Sequence, residues 1–329
     1  MGRRIKKGAV MKMIFLLVGL IVGVFQAVPV HAAYPDRPIK LIVPYAPGST
    51  PDTYSRWVSQ PLSVVLGQPI VIENRPGAGG GIGTDAVAKS KPDGYTLLLA
   101  AIAPMSILPS VSKSLQYKQQ ELQPVSLLQV NPFLVVVPAN LPVTDITSLI
   151  AYAKANPGKL NFGSPGLGSL GHLAIELFNS TVSTSMVHVP FRSGAPLELI
   201  AGRIQLLFSN LHDVLPHVRS GKLRALAVTS KERLKELPDV PTVSESGLPG
   251  FEVLAWNGFA VAAGTPKDIV MRLNGEIEKI LRTPEIATNM RAVGATPAPT
   301  MSPDEFSAYI ASETLKWGNL AQKINLKLE

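Results

Sequence analysis

The sequence predicts an α/β protein built on parallel sheets and organised in two parts. Short apolar runs of strand length alternate with segments whose apolar residues recur at helical spacing, the pattern of βαβ units. Two extended stretches, near 124–138 and 251–262, carry no helix of their own and read as two crossings between the parts. The 329 residues suffice for two domains of about 100–200 residues each. On this reading 133–254 forms one part, and 33–132 together with 255–329 forms the other.

The elements follow in order. Ile39–Tyr45 is a short apolar run, hence a buried strand. Tyr54, Trp57, Val58, Leu62, Val65 and Leu66 then recur at helical spacing. Thr50, Pro51 and Asp52 suit an N-cap, a proline at the first helical position and an acid in the first turn. Pro61 should kink this helix and Gly67 end it. Strand Pro69–Glu73, a glycine-rich loop, a helix over Asp85–Lys89 and strand Tyr95–Ala100 come next. The middle reads as helix Thr144–Ala155, strand Leu160–Gly163, helix Leu170–Phe178 and strand Met186–Phe191. Helix Pro196–Ala201 and strands Ile204–Ser209 and Leu223–Val228 complete it. Helical patterns at Pro266–Leu281, Pro284–Val293 and Pro303–Ile324 end the chain.

Composition excludes several function classes. A hydrophobic fraction of 46% argues against disorder, and zero Cys removes disulfides, thiolate metal sites, a Cys nucleophile and a lipidated cysteine. The net charge of +8 invites a nucleic-acid reading until the charges are located. Five of them, Arg3, Arg4, Lys6, Lys7 and Lys12, precede an apolar run from Met13 to Phe25. Gln26, Pro29 and the small-residue pattern Val30-His31-Ala32 follow. That is the layout of a secretory signal peptide over 1–32. The run is too short for a membrane span, which needs about 20 apolar residues. The mature chain is therefore expected to be mildly basic, monomeric and free in the periplasm, with no nucleic-acid partner.

The chemical signal lies in three strand-to-helix junctions rich in Gly, Ser and Thr: 44–51 (PYAPGSTP), 74–84 (NRPGAGGGIGT) and 163–172 (GSPGLGSLGH). None contains Asp or Glu. Helix N-termini present unpaired N–H groups with partial positive charge, and glycine lets an anion approach that backbone. In open α/β sheets the ligand crevice lies at the carboxyl ends of the strands, where all three junctions fall. One such loop would be a tight turn; three together point to a small-anion cleft.

Two catalytic alternatives stand beside that reading. Ser169, with Ser164 near it, would be a hydrolase nucleophile if His172 served as its base. Gly166-Leu167-Gly168-Ser169-Leu170-Gly171 matches the dinucleotide fingerprint, although Arg192 stands where an acid is expected. Arg192 is equally suited to a ligand carboxylate or to Glu198. Asp52 reads as a helix-dipole acid and Trp57 as core. His172 with Glu176, and His212 with His217, do not make a metal site, and no cofactor is expected.

The run YPDRPIKLIVPYAPGSTPD followed by IVIENRPGAGGGIGTDAVAKSKPDGYTLLLA resembles the Bug receptors, the extracytoplasmic solute receptors of tripartite tricarboxylate transporters. The likeness continues through NFGSPGLGSLGHLAIELF, VHVPFRSGAP, LRALAVTSKERLKELPDVPTVSESG, WNGFAVAAGTPKDIVMRLN and SPDEFSAYIASETLKW, covering essentially all of 34–329. The resemblance implies a two-lobed type II periplasmic-binding-protein fold, a Venus flytrap whose two hinge strands correspond to the extended stretches. It implies a carboxylate held between the lobes and delivery to membrane permease subunits. Carried onto this chain, the first lobe would offer Tyr45, Ala46, Pro47, Gly48, Ser49, Thr50 and Asp52, then Ala78 and Gly79. The second would offer Ser164, Gly168, Ser169, His172, Arg192 and Ser193, with Ser209 and Asn210 at the end of the following strand.

The chain departs from the family pattern at three places. Ser49 stands for a usual second glycine, and Ser193-Gly194 reverses the usual Gly-Ser. A D-x-x-F-D pattern appears as Gln205-Leu206-Leu207-Phe208-Ser209, without either acid. Loss of the second acid removes the partner for a ligand amino group. The expected ligand is therefore an amine-free carboxylate, a dicarboxylate or an aromatic acid.

Overall fold

The computed structural model describes residues 34–191 and 194–328, so the segment 1–32 read above as a signal peptide, Arg192 and Ser193 lie outside the described residues. Strand β1 (Ile39–Val43), helix α1 (Thr50–Leu66), strand β2 (Ile70–Asn74), helix α2 (Gly81–Ala88) and strand β3 (Thr96–Ala101) come first. A π-type turn, Ala103–Ile107, runs into α3 (Leu108–Val111) and on to the long strand β4 (Leu122–Pro138). Then come α4 (Ile146–Ala155), β5 (Asn161–Ser164), α5 (Leu170–Val182), β6 (Val187–Pro190), α6 (Ala195–Ile200) and β7 (Leu206–Asn210). These lead to α7 (Leu211–Arg219) and β8 (Leu223–Val228). β9 (Leu254–Ala262), α8 (Lys267–Leu281), α9 (Pro284–Ala292), β10 (Thr296–Pro297) and α10 (Pro303–Lys323) follow.

The strands form one curled sheet in the order β2-β1-β3-β9-β4-β7-β5-β6, with β8 and β10 also paired to β4. Pairs β1–β2, β1–β3, β5–β6 and β5–β7 are parallel, as the alternation predicts. The two extended stretches become β4 and β9, which pair antiparallel from Leu122↔Ala262 to Pro132↔Leu254. From Phe133 onward β4 pairs instead with β7 and β8. Proline donates no ladder bond and is normally excluded from central strands. Here the register shifts between Pro124 and Ser126, and Pro132 ends the pairing with β9. One strand thus serves two sets of partners, giving the two-lobed flytrap fold.

Several local readings change in three dimensions. The α1 cap is Ser49, not Thr50, and α1 continues through Pro61, giving up the bond Trp57 O would have received. Val65, on the expected apolar stripe, is exposed, while Tyr54 is wholly buried and Trp57 half-buried. Helix α2 starts a turn earlier than Asp85 because Gly81 and Gly83 pack inside it. A Cβ on Gly83 would meet Pro44 Cα and Arg75 O at 2.9 Å, so close approach of neighbouring backbone, not helix propensity, selects glycine there. The helical turns over 103–111 and helix α7 carry Pro104, Pro109 and Pro216, which masked them in the sequence.

The core is apolar and close-packed. β4 is buried along nearly its whole length, and Phe178, Phe208 and Phe251 meet edge to face with centroids 6.0–6.5 Å apart. Trp256 packs edge-on to Phe306 of α10 at 5.5 Å. Each wholly buried side chain of this size contributes about 1.5–3 kcal/mol. Among the described residues no helix is long and apolar enough to cross a membrane.

Candidate functional site

All three acid-free junctions fall at carboxyl ends of parallel strands. Together they contribute to one cavity of about 660 Å³. Tyr45 comes from the first, Ala78, Gly79, Gly81 and Ile82 from the second, and Pro165–Ser169 from the third.

The first junction is organised from behind. Asp52 is buried at 2% exposure and accepts from Arg56 Nε (2.9 Å), Asn74 Nδ2 (2.8 Å) and the N–H of Gly48 (2.9 Å). Burial pushes its carboxyl up, but the bonds from Arg56, Asn74 and Gly48 outweigh that and hold it below its ordinary range. Asn74 Nδ2 also donates to Tyr45 O at 3.0 Å, and Ser49 Oγ donates to Ala46 O at 2.7 Å. The loop Ala46, Pro47, Gly48, Ser49, Thr50 is thus tied to Asp52, while Tyr45 reaches the cavity wall. The Tyr45 hydroxyl has no hydrogen-bond partner among the described residues, and burial pushes it far above its ordinary pKa, so it remains a donor.

The second junction stores backbone strain. Gly77, Ala78, Gly79 and Gly80 all have positive φ, and for Ala78 (φ +48°) this costs about 1–2 kcal/mol. The strained turn delivers the N-terminal N–H groups of α2 beside the cavity. Asp85, one residue beyond the acid-free stretch, also lines it, but its carboxylate lies 2.7 Å from Lys89 Nζ. The cavity is therefore not wholly free of acid. Among the described residues, its wall carries no basic side chain.

The third junction is the most highly connected. Ser169 caps α5 by accepting the His172 N–H at 3.3 Å and donates to Gly166 O at 2.7 Å. His172 Nδ1 accepts the Gly168 N–H at 3.2 Å, which places the imidazole proton on Nε2, 3.8 Å from Glu176 Oε1. Burial, and then the neighbouring His188, push His172 down to about 4, keeping it neutral at pH 7. Ser164 is wholly buried and lies 2.6 Å from His188 Nε2. The hydrolase reading therefore has no base: His172 is engaged with Gly168, and the one serine facing an imidazole is out of reach.

Ser209 and Asn210, at the end of β7, lie elsewhere. They line a second cavity of about 560 Å³ that touches the first at Pro165. It also contains Asp213, which accepts from Asn210 Nδ2 at 3.4 Å and approaches His212 Nε2 at 3.2 Å. An acid thus stands one turn beyond the position where the sequence had lost one. Arg192 and Ser193 lie outside the described residues.

Sequence reasoning missed a further wall of the main cavity, formed by Ala103, Leu108, Ser112 and Ser114–Tyr117 with Leu328. Leu328 is held by its N–H on Val111 O (2.9 Å) and lies against Gly168. Nothing local marks Leu328, since its neighbours in space are far away in sequence. His188 was missed too, although its separation from Phe162 across parallel strands was the available signal. Among the described residues no group of three or more His, Asp or Glu side chains suits a metal ion.

A family model described as tripartite tricarboxylate transporter family receptor matches residues 54–326. The protein BugT of Bordetella pertussis is 38% identical over 319 residues, 94% of this chain and 98% of that protein. Rpa4515 of R. palustris, solved with adipate, is 33% identical with a TM-score of 0.76 over 89% of this chain and 99% of that one. MatC of Rhodopseudomonas palustris, solved with malate, is 31% identical with a TM-score of 0.72 over 87% and 99%. The matched family is one of transporter receptors, not of enzymes, which sets aside the hydrolase and dinucleotide readings alike.

Proposed function

The chain belongs to the tripartite tricarboxylate transporter receptor family, and from that premise we propose that it captures a small carboxylate in the cleft described above. The observation that carries this is the composition of the cavity wall. Backbone N–H groups at the start of α2 and the unpartnered Tyr45 hydroxyl are donors available to an anion, whereas the Ser169 proton already goes to Gly166 O. Ile82, Leu108, Leu115, Leu167 and Leu328 surround them with apolar surface suited to an aliphatic or aromatic body. Helix N-termini favour a bound anion by about 0.3–1 kcal/mol each, more when partly buried, so binding needs no basic side chain. The adipate and malate seen in two relatives support a dicarboxylate.

Two lobes, 33–132 with 255–329 and 133–254, would close on the ligand. The hand-over of β4 from β9 to β7 and β8 at Pro132 supports those limits. Closure requires that the ligand contact both lobes in the closed state and one in the open state. The protein would act as an exported periplasmic monomer whose closed form docks on membrane permease subunits. The loss of acids at Gln205 and Ser209 favours an amine-free ligand. Asp213 in the second cavity makes this the point most worth testing. Calorimetry with adipate, malate, benzoate and aspartate tests the reading. Binding of adipate or benzoate supports it; tight binding of aspartate alone refutes the amine-free ligand.

A further inference from the structure

We propose that His188 is a positioning residue for the ligand loop, fixing the backbone of Pro165–Ser169 through the buried hydroxyl of Ser164. The inference rests on the capture reading above, since that loop is the cavity wall contributed by the third junction.

The geometry begins with the period of the strand. Phe162 and Ser164 are two residues apart on β5 and share a face, and His188 stands opposite Phe162 on parallel β6. The His188 ring stacks on Phe162 with centroids 5.1 Å apart and brings Nε2 to 2.6 Å from Ser164 Oγ. Ser164 is wholly buried, so if that bond is lost its hydroxyl turns not to water but to Gly166 O, 3.1 Å away. The same oxygen accepts the N–H of Gly166 at 3.1 Å, with Ser169 Oγ, whose proton goes to Gly166 O, 3.3 Å away. One side-chain oxygen therefore anchors the loop at Gly166, and His188 sets its orientation. Gly166 has φ +153° and cannot be held by regular secondary structure. On the far side, His172 grips the Gly168 N–H and packs on His188 with ring centroids 4.1 Å apart. The two imidazoles form one support under both glycines of the loop. His188 itself is half-buried and does not line the cavity, so it acts through Ser164 and not on the ligand.

The test compares the full chain with His188→Phe, which keeps a ring without its nitrogens, and His188→Gln, which places an amide near the Nε2 position. Amide hydrogen exchange at Gly166 and Gly168, without ligand, reads the loop directly. His188→Phe should raise it about tenfold or more, and His188→Gln should stay within about threefold of the parent. Adipate affinity, measured alongside, should fall about tenfold in His188→Phe and recover in His188→Gln. Parent-like exchange in His188→Phe, or no recovery in His188→Gln, overturns the proposal. Should His188→Phe fail to fold, Ser164→Ala decides: faster exchange at Gly166 supports the anchor, unchanged exchange refutes it. If adipate and benzoate leave the parent unbound, the capture reading fails while the exchange data still decide the role of His188.

Discussion

Gly168→Ala separates two forces that meet at one atom of the cavity wall. Gly168 has φ +74°, and a side chain there costs about 1–2 kcal/mol of backbone strain wherever the loop is folded. The new Cβ would also lie 2.7 Å from Leu328 Cδ1, below any normal contact. Leu328 is tethered by its backbone to Val111 and Lys113, but Cδ1 is the free end of a flexible side chain. The clash should therefore sit at the low end of overpacking costs, about 1–1.5 kcal/mol. On the two-lobe reading Gly168 and Leu328 belong to opposite lobes, so the clash opposes closure and not folding. Gly168→Ala should then lose about 1–2 kcal/mol in urea denaturation and, separately, about tenfold in adipate affinity. Adding Leu328→Ala should restore the affinity, relative to Leu328→Ala alone, while leaving the stability loss in place. If the affinity stays low in the double variant, the steric account of closure is wrong. If Gly168→Ala is as stable as the parent, the strain account is wrong.

Other outcomes follow from the same geometry. Tyr45→Phe removes one unpartnered donor and should lower adipate affinity about tenfold while changing stability by less than about 0.5 kcal/mol, read by calorimetry and urea titration. Asp52→Asn leaves Arg56 without its charge partner and weakens the hold on Gly48, costing about 1–3 kcal/mol at pH 7. Because the folded Asp52 carboxyl lies below its ordinary value, that difference should vanish as the parent is taken below the usual Asp range, a comparison made by thermal melts across pH. His172 titrates at about 4 when folded against 6.5 when free, so the unfolded chain binds more protons between these values and stability falls with acidification. From pH 7 to pH 5 the loss from this group is about 2 kcal/mol, and His172→Gln should flatten the profile, measured by urea denaturation.

Much of this architecture is legible one segment at a time. Apolar period marks β1, β5, β7 and β8 within a residue or two, because a strand's side-chain alternation is a local property. The three glycine-rich junctions were readable for the same reason: a strand-to-helix turn needs positive φ, and Gly48, Gly79 and Gly168 all adopt it. Family motifs carried the lobed fold, which the pairing of β4 with β9 bears out. Where local rules conflicted with packing, the reading slipped. Gly81 and Gly83 looked like loop and lie in helix α2, since the approach of Pro44 and Arg75 leaves no room for any other residue at 83. Pro104 and Pro109 lie in helical turns over a stretch to which the apolar period assigned no element.

The amino-acid sequence alone determines the α/β alternation, the acid-poor junctions and the likeness to one receptor family, because each is written in residues adjacent along the chain. Only the tertiary structure decides that Tyr45 reaches the cavity while Asp52 braces the loop behind it, and that Asp85 and Asp213 return acid to cavities that seemed to lack it. It alone brings Leu328 against Gly168 and His188 under Ser164, from 160 and 24 residues away. Periodicity and turn chemistry act over a few residues, whereas a binding wall is assembled by packing between segments whose separation in sequence carries no signal.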